Sequence, residues 1–366
     1  MSISRLLDTQ KFSLSSYLED LADVYSGVVG GEWLKRRIQA GKSDNVSKRI
    51  EHLKKLSLVC PDDFKQISKE DISIFLQFSL DAFAIEIARS NQNNDSTKVF
   101  GRKKYIRGRA SGDRAAEWYF EMLIQGWYQE VSDVINLDSD SLGLFKKYES
   151  RADFMISHAK GLDKFCLVEC KKISPYPPTL LDEGLDMGKL KRKIVERIKT
   201  IALPQLVASR SALSKRYDIR KCHVLLDVTS YRESSSFLLT DNQRDDSHAY
   251  GFSKHYIDDL VKYLKNERFV GLDRLTICWA NFLVIGGYPR AMVHNAIHID
   301  YSFDDNGLEK YKGWTIEMHP ICSLEGIKEI RISRVARDWD WVVTTYNNLS
   351  DPSTFSKAVS LERWGD

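Results

Sequence analysis

Three side chains in the middle of the chain have the types and spacing that could do chemistry. Asp153 lies in one short apolar run, RADFMIS, and Glu169 and Lys171 lie in a second, KFCLVECKKI. Side chains alternate between the two faces of a strand, so Glu169 and Lys171 share one face and Cys170 takes the other. A hairpin through the turn at Gly161 would bring Asp153 beside them. An apolar strand that carries Glu and then Lys is locally inconsistent, and such places are often functional.

A further carboxylate can come from the helix that precedes these runs. Apolar residues recur at 3.6-residue spacing through 110–131, which predicts a helix packed on the sheet. Glu117 is nearer the start of that helix and is the preferred candidate. Glu121 lies one turn further along the same face, so the choice between the two stays open.

Two or three carboxylates beside one ammonium are typical of a magnesium site that acts on phosphate esters. Mg²⁺ takes carboxylate ligands and keeps waters for a phosphate substrate. It polarises the phosphate and lowers the pKa of bound water. Lys171 can orient or deprotonate that water, and to act as a base it needs a lowered pKa, which we expect its burial to supply.

Glu117, Asp153 and the run Glu169-Cys170-Lys171 together resemble the PD-(D/E)xK nuclease superfamily, with Ala152 where the family name has proline. The resemblance covers roughly residues 100–290. It implies a restriction-endonuclease-like αβββαβ core with a mixed central sheet and a Mg²⁺-dependent phosphodiesterase site, in which Mn²⁺ can substitute. It also implies that Asp153, Glu169 and Glu117 hold the metal and that Lys171 positions the water.

Basic residues are concentrated in two runs of the middle third. Residues 102–114 hold six Lys/Arg and one acid, and residues 186–221 hold eleven Lys/Arg and three acids. Each run by itself could be a solvated helix face. Beside one candidate active site they instead predict contacts to the phosphates of nucleic acid, with DNA favoured over RNA. The candidate contacts are Arg102, Lys103, Lys104, Arg107, Arg109, Lys189, Lys191, Arg192 and Lys193.

The organisation of the chain suggests three regions. Residues 1–95 form a predicted helical region that ends at the polar stretch SNQNNDSTK, and residues 99–290 form the α/β core. Within the core, helices and strands alternate, which predicts an α/β architecture with a mixed sheet. Residues 291–366 are a predicted C-terminal β-rich extension of short strands and turns.

Composition narrows the class of protein. No run approaches 18 apolar residues and no signal-like segment opens the chain, which predicts a cytoplasmic protein without a membrane span. Four of the six cysteines lie in apolar runs and are expected to be buried, reduced thiols. The resemblance leads us to expect a metal-dependent nuclease of phage defence, restriction or repair, acting as a homodimer or with a regulatory protein. The alternative is a catalytically silent nucleic-acid-binding or scaffold protein on the same fold.

Overall fold

The computed structural model describes most of the chain between residues 14 and 323. The described ranges are 14–39, 45–59, 68–90, 103–111, 114–129, 132–137, 151–157, 164–173, 186–231, 238–240, 248–249, 252–285, 288–303 and 309–323.

Helices occupy the N-terminal part of the described chain and then alternate with strands. Helices α1 to α5 are Leu14–Val29, Gly31–Gln39, Asn45–Val59, Lys69–Ser90 and Lys103–Ser111. Helices α6 to α9 are Ala115–Gln129, Met187–Arg197, Leu203–Leu213 and Lys254–Leu264. A π-helical turn, Ile198–Ala202, joins α7 to α8, so the helix continues without a break from Met187 to Leu213. None of the described helices is long and apolar enough to cross a membrane.

Strands β1 to β5 are Val134–Asn136, Phe154–Ser157, Lys164–Lys172, Asp218–Asp227 and Leu238–Thr240. Strands β6 to β10 are His248–Ala249, Phe252–Ser253, Arg274–Ile285, Tyr288–Phe303 and Glu309–Ser323. A short 3-10 helix, Thr229–Tyr231, follows β4.

One eight-stranded mixed sheet organises the described chain. Its order is β1-β2-β3-β4-β8-β9-β10, with β5 paired to β8. Strands β1, β2 and β3 are antiparallel neighbours, β3, β4 and β8 run parallel, and β8, β9 and β10 are again antiparallel. The predicted α/β class with a mixed sheet is confirmed, and so is the predicted hairpin of β2 and β3.

Two predicted elements differ from the structure. The C-terminal segment was expected to form short strands, but β9 and β10 are 16 and 15 residues long. The β9–β10 hairpin has irregularities of register at Tyr311/Gly313 and at Pro320/Cys322. The helix predicted over 110–131 is divided, because α5 ends at Ser111 and α6 begins at Ala115.

Two apolar clusters cover the two faces of the sheet. Helices α1, α3, α4 and α6 pack on one face with Val168 and Cys170 of β3, whereas α7, α8 and α9 pack on the other with Phe165 and Leu167. Side chains alternate along β3, so Glu169 and Lys171 lie on the same face as Phe165 and Leu167. That face is the one covered by α7 and α8. The four cysteines of the apolar runs, Cys166, Cys170, Cys222 and Cys278, are buried free thiols as predicted.

The N-terminal helices contact the sheet directly. The rings of Phe75 in α4 and Phe282 in β8 lie edge to face with centroids 6.5 Å apart. Strand β9 runs across residue 290, where the C-terminal extension was expected to begin. The division of the chain into three domains stays a prediction.

A buried ion pair ties two N-terminal helices together. Arg49 of α3 contacts the carboxylate of Asp81 in α4 and donates to Tyr25 Oη at 3.0 Å. Its guanidinium carbon also lies 4.8 Å from the ring centroid of Phe78 and 4.9 Å from that of Tyr119. Such cation–π contacts partly replace the water that the guanidinium loses on burial.

Removal of Arg49 should destabilise the fold strongly. Arg49→Met leaves the Asp81 carboxylate buried without its cation, and we expect a loss of about 3 to 5 kcal/mol in the free energy of unfolding. The matched control is Lys55→Met on the same helix, where Lys55 pairs with Glu51 at 3.0 Å and both side chains are mostly exposed. That change should cost under about 0.5 kcal/mol. Urea unfolding followed by circular dichroism measures both, and equal losses would contradict the assignment.

Candidate functional site

The side chains of Asp153, Glu169 and Lys171 converge on one side of the sheet. The Lys171 ammonium forms an ion pair with Glu169 Oε1 and lies 3.9 Å from Asp153 Oδ2. The same ammonium donates to the backbone carbonyl of Cys170 at 3.1 Å. Three oxygens from two neighbouring strands therefore surround one cation, and the two carboxylates face the same point.

The end of strand β2 explains the position of Asp153. The register of the hairpin pairs Phe154 with Val168, and β2 starts at Phe154. The backbone N–H of Cys170 lies beyond that pairing, and it donates to Asp153 Oδ2 at 2.7 Å. The carboxylate thus replaces the missing strand partner of β3, since a buried N–H needs an acceptor.

Helix α8 holds the residues just before Asp153. The N–H of Ala152 donates to Ser209 Oγ at 2.6 Å, and Gln205 Nε2 donates to the carbonyl of Arg151 at 3.1 Å. Ser209 is fully buried. Asp153 is therefore fixed by α8 on its N-terminal side and by β3 at its carboxylate.

Burial shifts the protonation of this cluster. Glu169 is 0% exposed, and its Oε2 atom accepts no hydrogen bond from the described residues. Burial, and then the charge of Asp153, raise the pKa of Glu169 well above its ordinary value. Burial alone would lower the pKa of Lys171, but the charges of Asp153 and Glu169 outweigh it and raise that pKa. The expectation that burial gives Lys171 the lowered pKa of a base is wrong, because the charges of the two neighbouring carboxylates outweigh the effect of burial.

A basic cleft of about 720 Å³ opens beside Lys171. It lies at the C-terminal end of β3, between the start of α6 and the wall formed by α7, the π-helical turn and α8. Two acidic side chains line it, Glu117 and Glu196. Five basic residues line it as well, namely Arg114, Lys171, Lys172, Lys193 and Arg197. Concave surfaces with an excess of one charge concentrate ions of the opposite sign, so the cleft favours polyanions.

Of the two candidate carboxylates on α6, only Glu117 lines the cleft. It forms an ion pair with Arg197 of α7. Glu121 is buried and accepts from Gln125 Nε2 at 2.9 Å and from Asn136 Nδ2 at 3.3 Å. Within the described ranges, no group of three or more His, Cys, Asp or Glu side chains could hold a metal ion. Glu117 therefore does not complete a three-carboxylate set with Asp153 and Glu169.

The predicted phosphate contacts on α7 point in different directions. Lys193 lines the cleft, and its Nζ lies 5.3 Å from the ring centroid of Tyr231. Lys191 instead pairs with Asp259 of α9 at 2.6 Å. Lys189 and Arg192 are not among the residues that line the cleft.

The two described predicted contacts of the first basic run, Arg107 and Arg109, do not line the cleft. The guanidinium carbon of Arg107 lies 5.8 Å from the ring centroid of Trp33 in α2, so this side chain packs on the N-terminal helices. Arg109 does not line the cleft either. Arg102 and the side chains of Lys103 and Lys104 lie outside what the structure describes.

Three basic residues of the cleft were missed from the sequence. Arg197 follows Lys193 by one helical turn, so the 3.6-residue period of α7 could have placed it on the same face. Arg114 closes the first basic run, just before α6. No local signal in the sequence pointed to Lys172, because alternation puts its side chain on the face opposite Lys171. The residue lines the cleft at the C-terminal end of β3.

The chain matches no family model, and no curated protein or solved structure shows significant similarity to it. Any function must therefore be argued from the residues of the cleft and its carboxylates.

Replacement of Glu169 by glutamine should favour the stability of the metal-free protein more at high pH than at low pH, relative to wild type. A carboxyl whose pKa is raised on folding contributes its stability below the unfolded pKa of about 4.3, and loses it as pH rises through the folded pKa. Wild-type protein should therefore lose stability with rising pH relative to Glu169→Gln. Urea midpoints in EDTA at pH 5 and pH 8 should show an advantage of the variant that is larger at pH 8.

The control for that measurement is Glu196→Gln, which removes an exposed carboxylate from the wall of the same cleft. It should shift the urea midpoint little at either pH. A Glu169→Gln variant whose stability relative to wild type does not rise between pH 5 and pH 8 would contradict the direction assigned to this pKa.

Proposed function

We propose that this chain is a metal-dependent nuclease that hydrolyses phosphodiester bonds of nucleic acid, with DNA the favoured substrate. The observation that carries the proposal is the convergence of Asp153, Glu169 and Lys171 beside a basic cleft. Carboxylates that share a buried cation next to a surface for polyanions are the groups that phosphodiester hydrolysis needs.

The donor set suits Mg²⁺, with Mn²⁺ as a substitute. Mg²⁺ is commonly bound by one or two carboxylates together with waters and substrate phosphate, so Asp153 and Glu169 are sufficient protein ligands. The Oε2 atom of Glu169 is buried without a hydrogen-bond partner among the described residues, which is the state of an oxygen available to a cation. When bound there, the ion supplies Lewis-acid polarisation of the phosphate and a more acidic water.

The residues of the chain then have separate tasks. Lys171 keeps its proton, since its pKa is raised, and so it orients a water and offsets phosphoryl charge without accepting a proton. Lys171 is one of the residues that line the cleft, which places this role beside the substrate. Lys193 and Arg197 on the opposite wall bind the backbone of the substrate through phosphate contacts.

The order of elements supports the resemblance to the restriction-endonuclease-like fold. Helix α6 is followed by β1, β2 and β3, then by the continuous helix α7–α8 and by β4, which is the αβββαβ order. Strand β3 pairs antiparallel with β2 and parallel with β4. One such site cuts one strand, so we propose a homodimer or a regulatory protein partner for cutting both strands, in phage defence, restriction or repair.

A second candidate is a nucleic-acid-binding protein that does not cut. It is favoured by the ion pairs of Lys171, whose ammonium occupies the space between the two carboxylates. It is also favoured because no third acidic ligand joins them among the described residues. The basic cleft would serve such a protein equally well.

Metal-dependent cutting separates the two candidates. Purified protein with plasmid DNA, or with RNA, should cut in Mg²⁺ and not in EDTA. Glu169→Ala removes a proposed metal ligand and Lys171→Ala removes the water-orienting ammonium. Each should lower the cutting rate by about 100-fold or more.

The two variants should differ in metal binding. In Lys171→Ala, added Mg²⁺ should still raise the melting temperature, because both carboxylates remain. In Glu169→Ala that rise should disappear. Lys199→Ala, which removes an ammonium paired with Glu267 away from the carboxylates, is the control and should cut normally. Cutting that persists in both site variants would exclude this site, and binding without cutting in any metal would support the second candidate.

A further inference from the structure

We propose that Arg114 and Arg197 form a phosphate-binding subsite of the cleft, and that Glu117 is the counter-ion that a backbone phosphate displaces from it. The subsite would hold a phosphate other than the one beside Lys171. This inference rests on the proposed function for the identity of its ligand, since it takes the polyanion in the cleft to be nucleic acid.

Two guanidinium groups from different elements face one cleft. Arg114 precedes α6 and Arg197 is the last residue of α7, yet both line the same cavity. Partial burial and the charge of Arg114 lower the pKa of Arg197, so the two cations repel each other. This repulsion does not stabilise the folded protein. An anion bound between the two guanidinium groups would be attracted to both of them.

Arg197 has hydrogen-bonding capacity that its protein partner does not use. Its Nη2 atom contacts Glu117, and its Nε atom is buried with no hydrogen-bond partner among the described residues. A guanidinium presents its donors as a planar fork that matches two oxygens of a phosphate. Glu117 engages one side of that fork, so a phosphate can satisfy donors that the carboxylate does not reach.

The exchange of Glu117 for a phosphate is inexpensive. The side chains of Arg197 and Glu117 are 31% and 25% exposed, so their ion pair is partly screened by water. Partly exposed ion pairs contribute little to stability, because water screens them. Because the Glu117 carboxylate is negatively charged and lies against Arg197, it also repels a polyanion that enters the cleft. Glu117 thus competes with the substrate, a role opposite to that of the metal ligand implied by the resemblance.

Binding without metal tests the subsite. A short fluorescein-labelled DNA duplex, and the same sequence as single strands of DNA and RNA, are titrated with the full chain in EDTA over a series of salt concentrations. Each lost phosphate contact reduces the slope of log K against log salt by about 1. Arg114→Gln and Arg197→Gln should each show that reduction on at least one of the three probes.

Glu117→Gln should behave in the opposite way and bind the same probe several-fold more tightly. Arg220→Gln is the matched control, because Arg220 lies near the start of β4, at the end of the sheet away from the cleft, and pairs with Asp218. It should leave the slope unchanged. Arg114 is exposed, so Arg114→Gln remains informative even if Arg197→Gln folds poorly by circular dichroism.

The results separate the subsite from the nuclease proposal. An unchanged slope in Arg114→Gln, an equal change in Arg220→Gln, weaker binding by Glu117→Gln, or no binding of any probe would each overturn the subsite. A chain that binds with the expected slopes but never cuts would overturn the nuclease and leave the subsite standing. A chain that cuts in Mg²⁺ while Arg114→Gln and Arg197→Gln leave the slope unchanged would overturn the subsite and leave the nuclease standing.

Discussion

The structure depends on two carboxylates sharing the Lys171 ammonium at the end of a buried central strand. Strand β3 is covered on both faces, and Glu169 lies in it with no exposure to water. Burial of a charge is costly unless it is paired, and the pairing here is incomplete because Glu169 Oε2 accepts no hydrogen bond from the described residues. A position chosen for stability alone would be apolar, so the cost points to a chemical role.

The second constraint is electrostatic and acts over the whole cleft. The formal net charge of the chain is only +3, but five basic and two acidic residues line this one cavity. The long helix made of α7, the π-helical turn and α8 supplies much of this wall. Its π-helical turn adds a residue to the helical repeat, and side chains on both sides of that turn, Lys193, Arg197 and Gln205, line the cavity.

The N-terminal helices support the same strand end from the opposite face of the sheet. Lys172 Nζ donates to Gln77 Oε1 at 2.6 Å and lies 3.3 Å from Asp227 Oδ2. Gln77 in turn donates to Asp81 Oδ1 at 2.7 Å, which joins this group to the buried pair with Arg49. Lys172, the residue after Lys171, is therefore held on this face by Gln77 of α4 and Asp227 of β4.

Local patterns in the sequence determined the elements and the faces of their side chains. Alternation along β3 placed Glu169 and Lys171 together, and the 3.6-residue period predicted the helix that carries Glu117, because both properties depend only on neighbouring residues. Tertiary structure decided the rest. The meeting of Arg114 with Arg197, the choice of Glu117 over Glu121 for the cleft, and the arrival of Lys172 at the cavity depend on how separate elements pack. The raised pKa of Lys171 likewise follows from the distance to a carboxylate on another strand, which no local pattern encodes.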